Sequence, residues 1–367
     1  MISFFEYIKD VPDHRVAGMV TYPLSEVLLV TLVGVLCGGD DWEMIELLGR
    51  EYLPWFQQFL PFSHGIPQAQ TLRKIFCLLP PKILEERFAA WVGGLREAVR
   101  EVVAIDGKTL RGSKKRADGQ DALHLLSAYA CDAGLVIGQR AVDGKSNEIT
   151  AIPELLDMLA VKGAIVSIDA MGTQKAIAAK ILAKEADYVL ALKGNHSSLH
   201  DDVKRFFDDG TLAETCATHT TTNTGHGRIE ERTIRATDAI DWLTTLHPDW
   251  KNLRSIAAIT AKRLNKKSGQ ISTETRFYIS SLPPNPAILL ATTRAHWAIE
   301  NNLHWQLDLT FREDYCRTRK DFSPLNLAII RRAVFNILKH DPSDLSMQRK
   351  RIKASINPSF RSLLLSR

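Results

Sequence analysis

The sequence predicts an α/β fold, a mixed sheet with a helical bundle ahead of it and a β-rich insertion within it. Three observations carry that prediction. Residues 1–95 show helical periodicity throughout. Between Val102 and Asn195 strand-like and helix-like segments follow in the order β-β-β-α-β-α-β. Residues 196–290 are mostly strand-like text, and only then does a helix resume near Leu289.

Taken in order, Leu24 to Val35 is apolar nearly all round, as in a buried helix. Trp42 to Phe59 is amphipathic. GIPQAQTLRKIF (65–76) turns helical after Pro67, and Leu84 to Val99 forms a helix after Pro80 and Pro81. The text then changes. EVVAIDGKTL places Val102, Val103 and Ile105 in a strand that runs into a Gly turn. Residues 123–134 and 135–144 read as two more strands, which makes a tight antiparallel meander. A helix follows at 149–160, with Pro153 permitted near its start. AIVSIDA (164–170) is a fully apolar strand of the kind buried on both faces. A strong helix former (173–186) and a second buried strand, DYVLALKGN (187–195), complete the series. This is the order of a ribonuclease H-like mixed sheet: three antiparallel strands and two parallel additions, flanked by helices.

The stretch 196–290 is too long for a loop and too patterned for a linker, so it reads as a β-rich insertion. Past Pro283, Pro284 and Pro286 a helix is expected over about Leu289 to Leu309, and another over Pro324 to Lys339. The domains expected are an N-terminal helical unit (1–95), a ribonuclease H-like unit (100–340) and a basic tail (341–367).

The chain has 367 residues and a net charge of +5. Its basic residues cluster as RGSKKR (111–116), KRLNKK (262–267) and RKRIK (349–353). One such cluster is ordinary solvated surface; three together point to a nucleic-acid partner. Five scattered cysteines without a CxxC pair exclude a disulfide framework and a thiolate zinc site, and fit a reducing cytoplasm. No signal peptide is apparent. Val27 to Cys37 is far shorter than the roughly 20 residues of a spanning helix, so no membrane association is expected.

Three carboxylates stand out by position. Asp106 ends the first predicted strand, Asp169 ends the fourth, and Glu300 lies on the helix after the insertion. Alone, Asp106 before Gly107 reads as a turn residue, Asp169 as a helix cap and Glu300 as a surface acid. Jointly they read otherwise. The first and fourth strands of a ribonuclease H-like sheet are neighbours, so Asp106 and Asp169 emerge side by side. Paired acids repel unless a cation neutralises them, and magnesium prefers such oxygen ligands. With a third carboxylate, two ions ~3.5–4 Å apart can serve phosphodiester chemistry. The Gly107-Lys108-Thr109 triplet lacks the upstream glycine of a phosphate-binding loop, and no HExxH or Gly-x-Ser-x-Gly occurs.

AIDGKTLRGS (104–113), SIDAMGTQKAIA (167–178), YVLALKGNH (188–196), GHGRIEER (225–232) and HWAIENNLHWQLDLTFRED (296–314) together resemble the DDE insertion-sequence transposases, in the branch of the H-repeat-associated proteins. The likeness covers nearly the whole chain. It implies DNA cleavage and strand transfer at terminal inverted repeats. The triad it implies is Asp106, Asp169 and Glu300, with magnesium or manganese, two ions in all. It also implies double-stranded DNA as partner, a homodimer in the synaptic complex and a bacterial, nucleoid-associated setting. The wider family has Tyr, Arg and Lys where this chain has Thr293, His296 and Leu307. The basic residue at the scissile phosphate is therefore sought among Arg294, His296, Lys193 and Arg228. A ribonuclease H-like nuclease without strand transfer, or a catalytically silent or domesticated DNA-binding copy, would share most of these features.

On an α-helix, His296, Glu300 and His304 share one stripe, Trp297, Asn301 and Trp305 the next, and Ile299, Leu303 and Leu307 the core-facing one. His296, Trp297 and Asn301 are expected along a DNA-facing edge, where Trp297 stacks on an unpaired base. The competing expectation packs Trp297 and Trp305 beneath the insertion.

Overall fold

A computed structural model of the chain describes residues 3–95, 101–114, 121–142, 147–225 and 227–366. Six helices come first: α1 (Phe4–Ile8), α2 (Leu24–Leu36), α3 (Trp42–Glu51), α4 (Leu53–Phe56), α5 (Ala69–Leu78) and α6 (Pro81–Leu95). The expected helix to Val99 thus runs past Leu95 into residues outside the described set. Helix α2 is the most buried of the six: every residue from Glu26 to Leu36 is buried. Each Val or Leu there contributes on the order of 1.5–3 kcal/mol. Its single acid, Glu26, is tolerated because it accepts the Phe62 N–H at 2.7 Å.

The sheet follows with β1 (Val102–Thr109), β2 (His124–Ala130), β3 (Leu135–Val142), α7 (Glu148–Met158), β4 (Ile165–Ile168), α8 (Lys175–Ala183) and β5 (Asp187–Leu192). The insertion supplies α9 (Ser197–Asp208), α10 (Gly210–Glu214), β6 (Ala217–Gly225), β7 (Arg228–Thr237), α11 (Asp241–Leu246), β8 (Ser255–Asn265) and β9 (Ile271–Ser280). Then come α12 (Pro286–Ala298), a π-helical turn (Ile299–His304), α13 (Trp305–Leu309), α14 (Ser323–His340), α15 (Met347–Ile356) and α16 (Pro358–Leu365).

The nine strands of the described residues form one sheet in the order β3-β2-β1-β4-β5-β9-β8-β7-β6. The first five are the ribonuclease H-like core: β1 pairs antiparallel with β2 and parallel with β4, and β4 is parallel to β5. The insertion extends this sheet, because β9 pairs antiparallel with the outer edge of β5 through Val189↔Ser280 to Leu192↔Phe277.

Several expectations change in detail. The strand at Asp106 does not stop in a Gly turn; it continues through Gly107, opposite Leu126, to Thr109. A Cβ there would meet the Glu148 carboxylate and the His124 ring, so any larger residue requires those two side chains to shift. The connection from β1 to β2 is longer than a tight meander, and Lys115 and Arg116 of the first basic cluster, like 143–144 of the third strand, lie outside the described residues.

Helix α14 packs against α2, α5, α6 and β3, and a continuous apolar core runs from Phe4 to Leu365. Asn336 closes the free edge of β3, accepting from the Val136 N–H at 2.9 Å and donating to its carbonyl at 2.8 Å. Beyond Asp341 the chain is not merely a basic tail. In α15 Lys350 and Arg351 are buried, with Arg351 donating to the Val35 carbonyl at 2.9 Å and to Asp40 at 2.9 Å. Arg361 of α16 lies over the Tyr52 ring at 3.5 Å. Lys350 and Arg351 of the third basic cluster are thereby committed to packing, their charges met by carbonyls and by the carboxylates of Asp341 and Asp40. Among the described residues no helix is long and apolar enough to cross a membrane.

Candidate active site

The register of β1 and β4 sets the site. Ile105 is opposite Ile168, so Asp106 and Asp169 leave the two parallel strands side by side. Asp169 lies just beyond β4 in a tight turn, where its Oδ1 accepts the N–H groups of Met171 (3.1 Å) and Gly172 (3.2 Å). It does not cap α8, whose N-cap is Gln174. The turn is held from β5: Thr173 Oγ1 donates to the Ala191 carbonyl at 2.6 Å, and Asn195 Nδ2 donates to the Ala170 carbonyl at 2.7 Å. The IDAMGT and KGN motifs are therefore the scaffold of Asp169.

Glu300 arrives on the π-helical turn between α12 and α13. The sequence predicts one unbroken α-helix here; the structure inserts a π turn, a rare feature that recurs at functional sites. Ile299, Leu303 and Leu307 face the core as expected. His304 is only 4% exposed and its Nδ1 lies between two acids, 2.9 Å from Glu300 Oε2 and 3.6 Å from Asp106 Oδ2. One ligand atom each of Asp106, Glu300 and His304 lie within 4.8 Å of one another, and Asp169 falls outside that group.

Asp106, Asp169 and Glu300 line one cleft of about 480 Å³, with Lys193, His296 and Trp297 on its walls. Burial pushes the Asp106 carboxyl up to about 6; His304 opposes the rise, and the Asp169 and Glu148 carboxylates add to it. The hydrogen bond from His304 holds Glu300 below the usual carboxylate range. Burial lowers the His296 imidazole, keeping it neutral beside Asp169. A carboxylate raised chiefly by its burial, facing two further carboxylates across one cleft, suits a hard divalent cation.

The remaining expected DNA contacts fall elsewhere. Arg228 begins β7 at the β6–β7 turn, Arg294 is exposed on α12 beside Arg232, and Asn301 is exposed on the π turn; none of the three lines the cleft. Trp297 and Trp305 are not packed beneath the insertion: they are 48% and 55% exposed. Trp297 instead carries the Arg276 guanidinium of β9, 5.3 Å from its ring. Arg276 heads a ladder of alternating charge across the insertion, bonding Glu274 at 2.7 Å; Glu274 accepts from Arg263 at 3.1 Å, and Arg263 donates to Glu230 at 2.8 Å.

Three neighbours of the site were not legible as such. His304 had a signal, its position four residues after Glu300. Lys108, two residues after Asp106, donates to Asp308 at 2.8 Å and lies 3.3 Å from Asp314. Arg276 had no signal, since the register of β9 against β5 is not written in local sequence.

Residues 97–337 match the family model described as Transposase DDE domain, and residues 5–92 match the one described as DDE_Tnp_1-associated. The chain is 35% identical over 372 residues to the "H repeat-associated putative transposase YhhI" of Escherichia coli K12, spanning 99% of this chain and 98% of that protein. It is 42% identical over 285 residues to an "Uncharacterized protein in dhlA 3'region" of Xanthobacter autotrophicus, spanning 77% and 95%. A cryo-EM structure of a piggyBac transposase synaptic complex with hairpin DNA overlaps all of this chain and 81% of that one, at TM-score 0.47 and 10% identity.

Proposed function

The chain belongs to the Transposase DDE domain family, and on that premise we propose that it cleaves and joins DNA at the terminal inverted repeats of an insertion sequence. The observation that carries this reading is the convergence of Asp106 from within β1, Asp169 from just past β4 and Glu300 from the π turn on a single cleft. Water displaces one side of the phosphodiester at the element end and leaves a 3′-hydroxyl. That hydroxyl then displaces a phosphodiester oxygen in target DNA, with no bond between protein and DNA. Each step exchanges one P–O bond for another.

Asp106, Asp169 and Glu300 are the residues that would hold magnesium or manganese, two ions in all. Such ions supply Lewis-acid activation of the attacking oxygen and neutralise charge on the phosphodiester. The chain's own groups do the rest. Asp106 and Asp169 are fixed by backbone pairing and by the Asp169 turn. Lys193 and His296 line the cleft where a phosphate would pass. Trp297, half exposed at its rim, offers a face for an unpaired base. Acting on two element ends calls for two copies of the chain, in a complex with double-stranded DNA.

The test is nicking and strand transfer on duplexes carrying the native element end, with magnesium or manganese added. Asp106→Ala, Asp169→Ala and Glu300→Ala should each abolish both steps. Wild-type nicking by all three variants rejects the mechanism. Nicking without joining makes the protein a nuclease. Binding of end DNA without either step makes it a silent DNA-binding copy.

A further inference from the structure

We propose that His304 is a positioning residue: its Nδ1–H donates to Glu300 and braces it against Asp106, fixing the spacing of two carboxylates carried by different elements. The proposal rests on the reading of these acids as a metal centre. Glu300 is 58% exposed on its side chain and is the one acid of the three not delivered by the sheet. Left alone, it would sample several rotamers. His304 is 4% exposed, so its own ring is fixed by packing, and its Nδ1 meets Glu300 Oε2 at 2.9 Å. The same nitrogen is 3.6 Å from Asp106 Oδ2 on β1. The π turn spanning Ile299–His304 carries both partners of this contact.

A nitrogen ligand is the competing reading, since the ligand atoms of Asp106, Glu300 and His304 are within 4.8 Å of one another. The other ring nitrogen decides between them. His304 Nε2 is buried and has no hydrogen-bond partner among the described residues. Ligation through Nδ1 would place the ring proton on Nε2 and bury an unsatisfied donor. Metal-bound histidines almost always give that second N–H an acceptor. With the proton on Nδ1 the ring makes its hydrogen bond to Glu300, and only a lone pair is left unused on Nε2.

The experiment is a titration of the full-length protein with Mn²⁺, read by electron paramagnetic resonance, in wild type and in His304→Asn, His304→Gln and His304→Ala. Asparagine places an N–H where Nδ1 stands; glutamine places one where Nε2 stands. Removing a partner that orients a ligand weakens metal affinity roughly 10- to 100-fold, and that loss is expected for His304→Gln and His304→Ala. His304→Asn should recover most of the wild-type affinity. A merely structural role predicts no difference between asparagine and glutamine variants of equal melting temperature. If His304→Ala fails to fold, the asparagine–glutamine pair still decides. Wild-type affinity in His304→Gln overturns the proposal, as does a ¹⁴N coupling from bound Mn²⁺ that disappears in His304→Asn, which would make the ring a ligand. Absence of Mn²⁺ binding in the wild type instead removes the metal-centre reading beneath it.

Discussion

Lys108 Nζ lies 2.8 Å from Asp308 Oδ2, a contact that joins strand β1 to the helix following Glu300. Lys108 is 7% exposed and lies on the same strand as Asp106, two residues on. Its charge also lowers the Glu300 carboxyl. Lys108→Met should therefore remove a brace between the two elements that carry the first and third acids. A loss of roughly 1.5–3 kcal/mol is expected for a hydrogen bond to a charged group, read by urea unfolding. End-DNA nicking should fall as well, even at temperatures where the variant is folded. A variant with unchanged stability and nicking would show that Lys108 braces nothing.

Arg332 and Glu313 form an ion pair with both side chains fully buried, 2.9 Å apart, between α14 and the loop after α13. Truncating one partner leaves an uncompensated buried charge. Arg332→Met should cost about 3–5 kcal/mol, and the double variant with Glu313→Leu should recover most of that loss. Thermal melts of Arg332→Met, Glu313→Leu and the double variant measure it; a single variant as stable as wild type contradicts the expectation.

The Asp106 carboxyl titrates at about 6 in the folded protein, above its ordinary value of 3.8. The folded state thus holds this proton over a window, from about 4 to 6, in which the unfolded chain has released it. Stability from this group is present below that window and declines as pH rises through it. In metal-free protein Asp106→Asn should be more stable than wild type at pH 7, by on the order of 2–3 kcal/mol. The advantage should vanish near pH 4. Added Mg²⁺ should narrow the gap at pH 7, because only the wild type offers the carboxylate.

Trp297 is half exposed and carries Arg276 on its ring. Such an exposed cation–π contact is worth about 0.5–1 kcal/mol, so Trp297→Ala should melt within a few degrees of wild type. Strand processing should nevertheless drop, since stacking on an unpaired base is worth ~1–3 kcal/mol. A large loss of stability would return Trp297 to a packing role.

The two basic clusters that lie wholly within the described residues should separate in a salt titration of DNA binding. Lys266 and Lys267 are exposed at the β8–β9 turn, whereas Arg351 is buried in contacts to Val35 and Asp40. Lys266→Ala and Lys267→Ala should each reduce the slope of log affinity against log salt by about 1 if they meet phosphate. Arg351→Ala should lower the melting temperature and leave that slope unchanged.

What the sequence made legible follows a physical division. Strand order, the place of Asp169 just past the fourth strand and that of Glu300 on the helical segment after the insertion could be read because apolar runs and helical periodicity are local signals. The π turn at Ile299–His304 could not, since it changes hydrogen bonding without changing the apolar stripe of Ile299, Leu303 and Leu307. The burial of Arg351 could not either: its partners Val35 and Asp40 are some three hundred residues away, and a run of basic residues looks the same inside and outside a protein. The Asp106-Gly107 pair misled for a related reason. It imitates a turn, whereas in the fold Gly107 lies mid-strand beneath the His124 and Glu148 side chains, which are distant in sequence.

The pairing of β5 with β9 also fixes the order in which the molecule becomes complete during synthesis. Until Phe277 to Ser280 have been made, the outer edge of β5 has no partner, and Asp106 and Asp169 wait without Glu300. At ~5–20 residues per second, tens of seconds pass between the first acid and the third. A polypeptide stopped by an early termination codon between Leu192 and Phe277 would carry Asp106 and Asp169 without Glu300, and an open strand edge of the kind that recruits other chains. One topological choice thus leaves chains truncated in that span prone to clump, and only the making of β9 covers the edge.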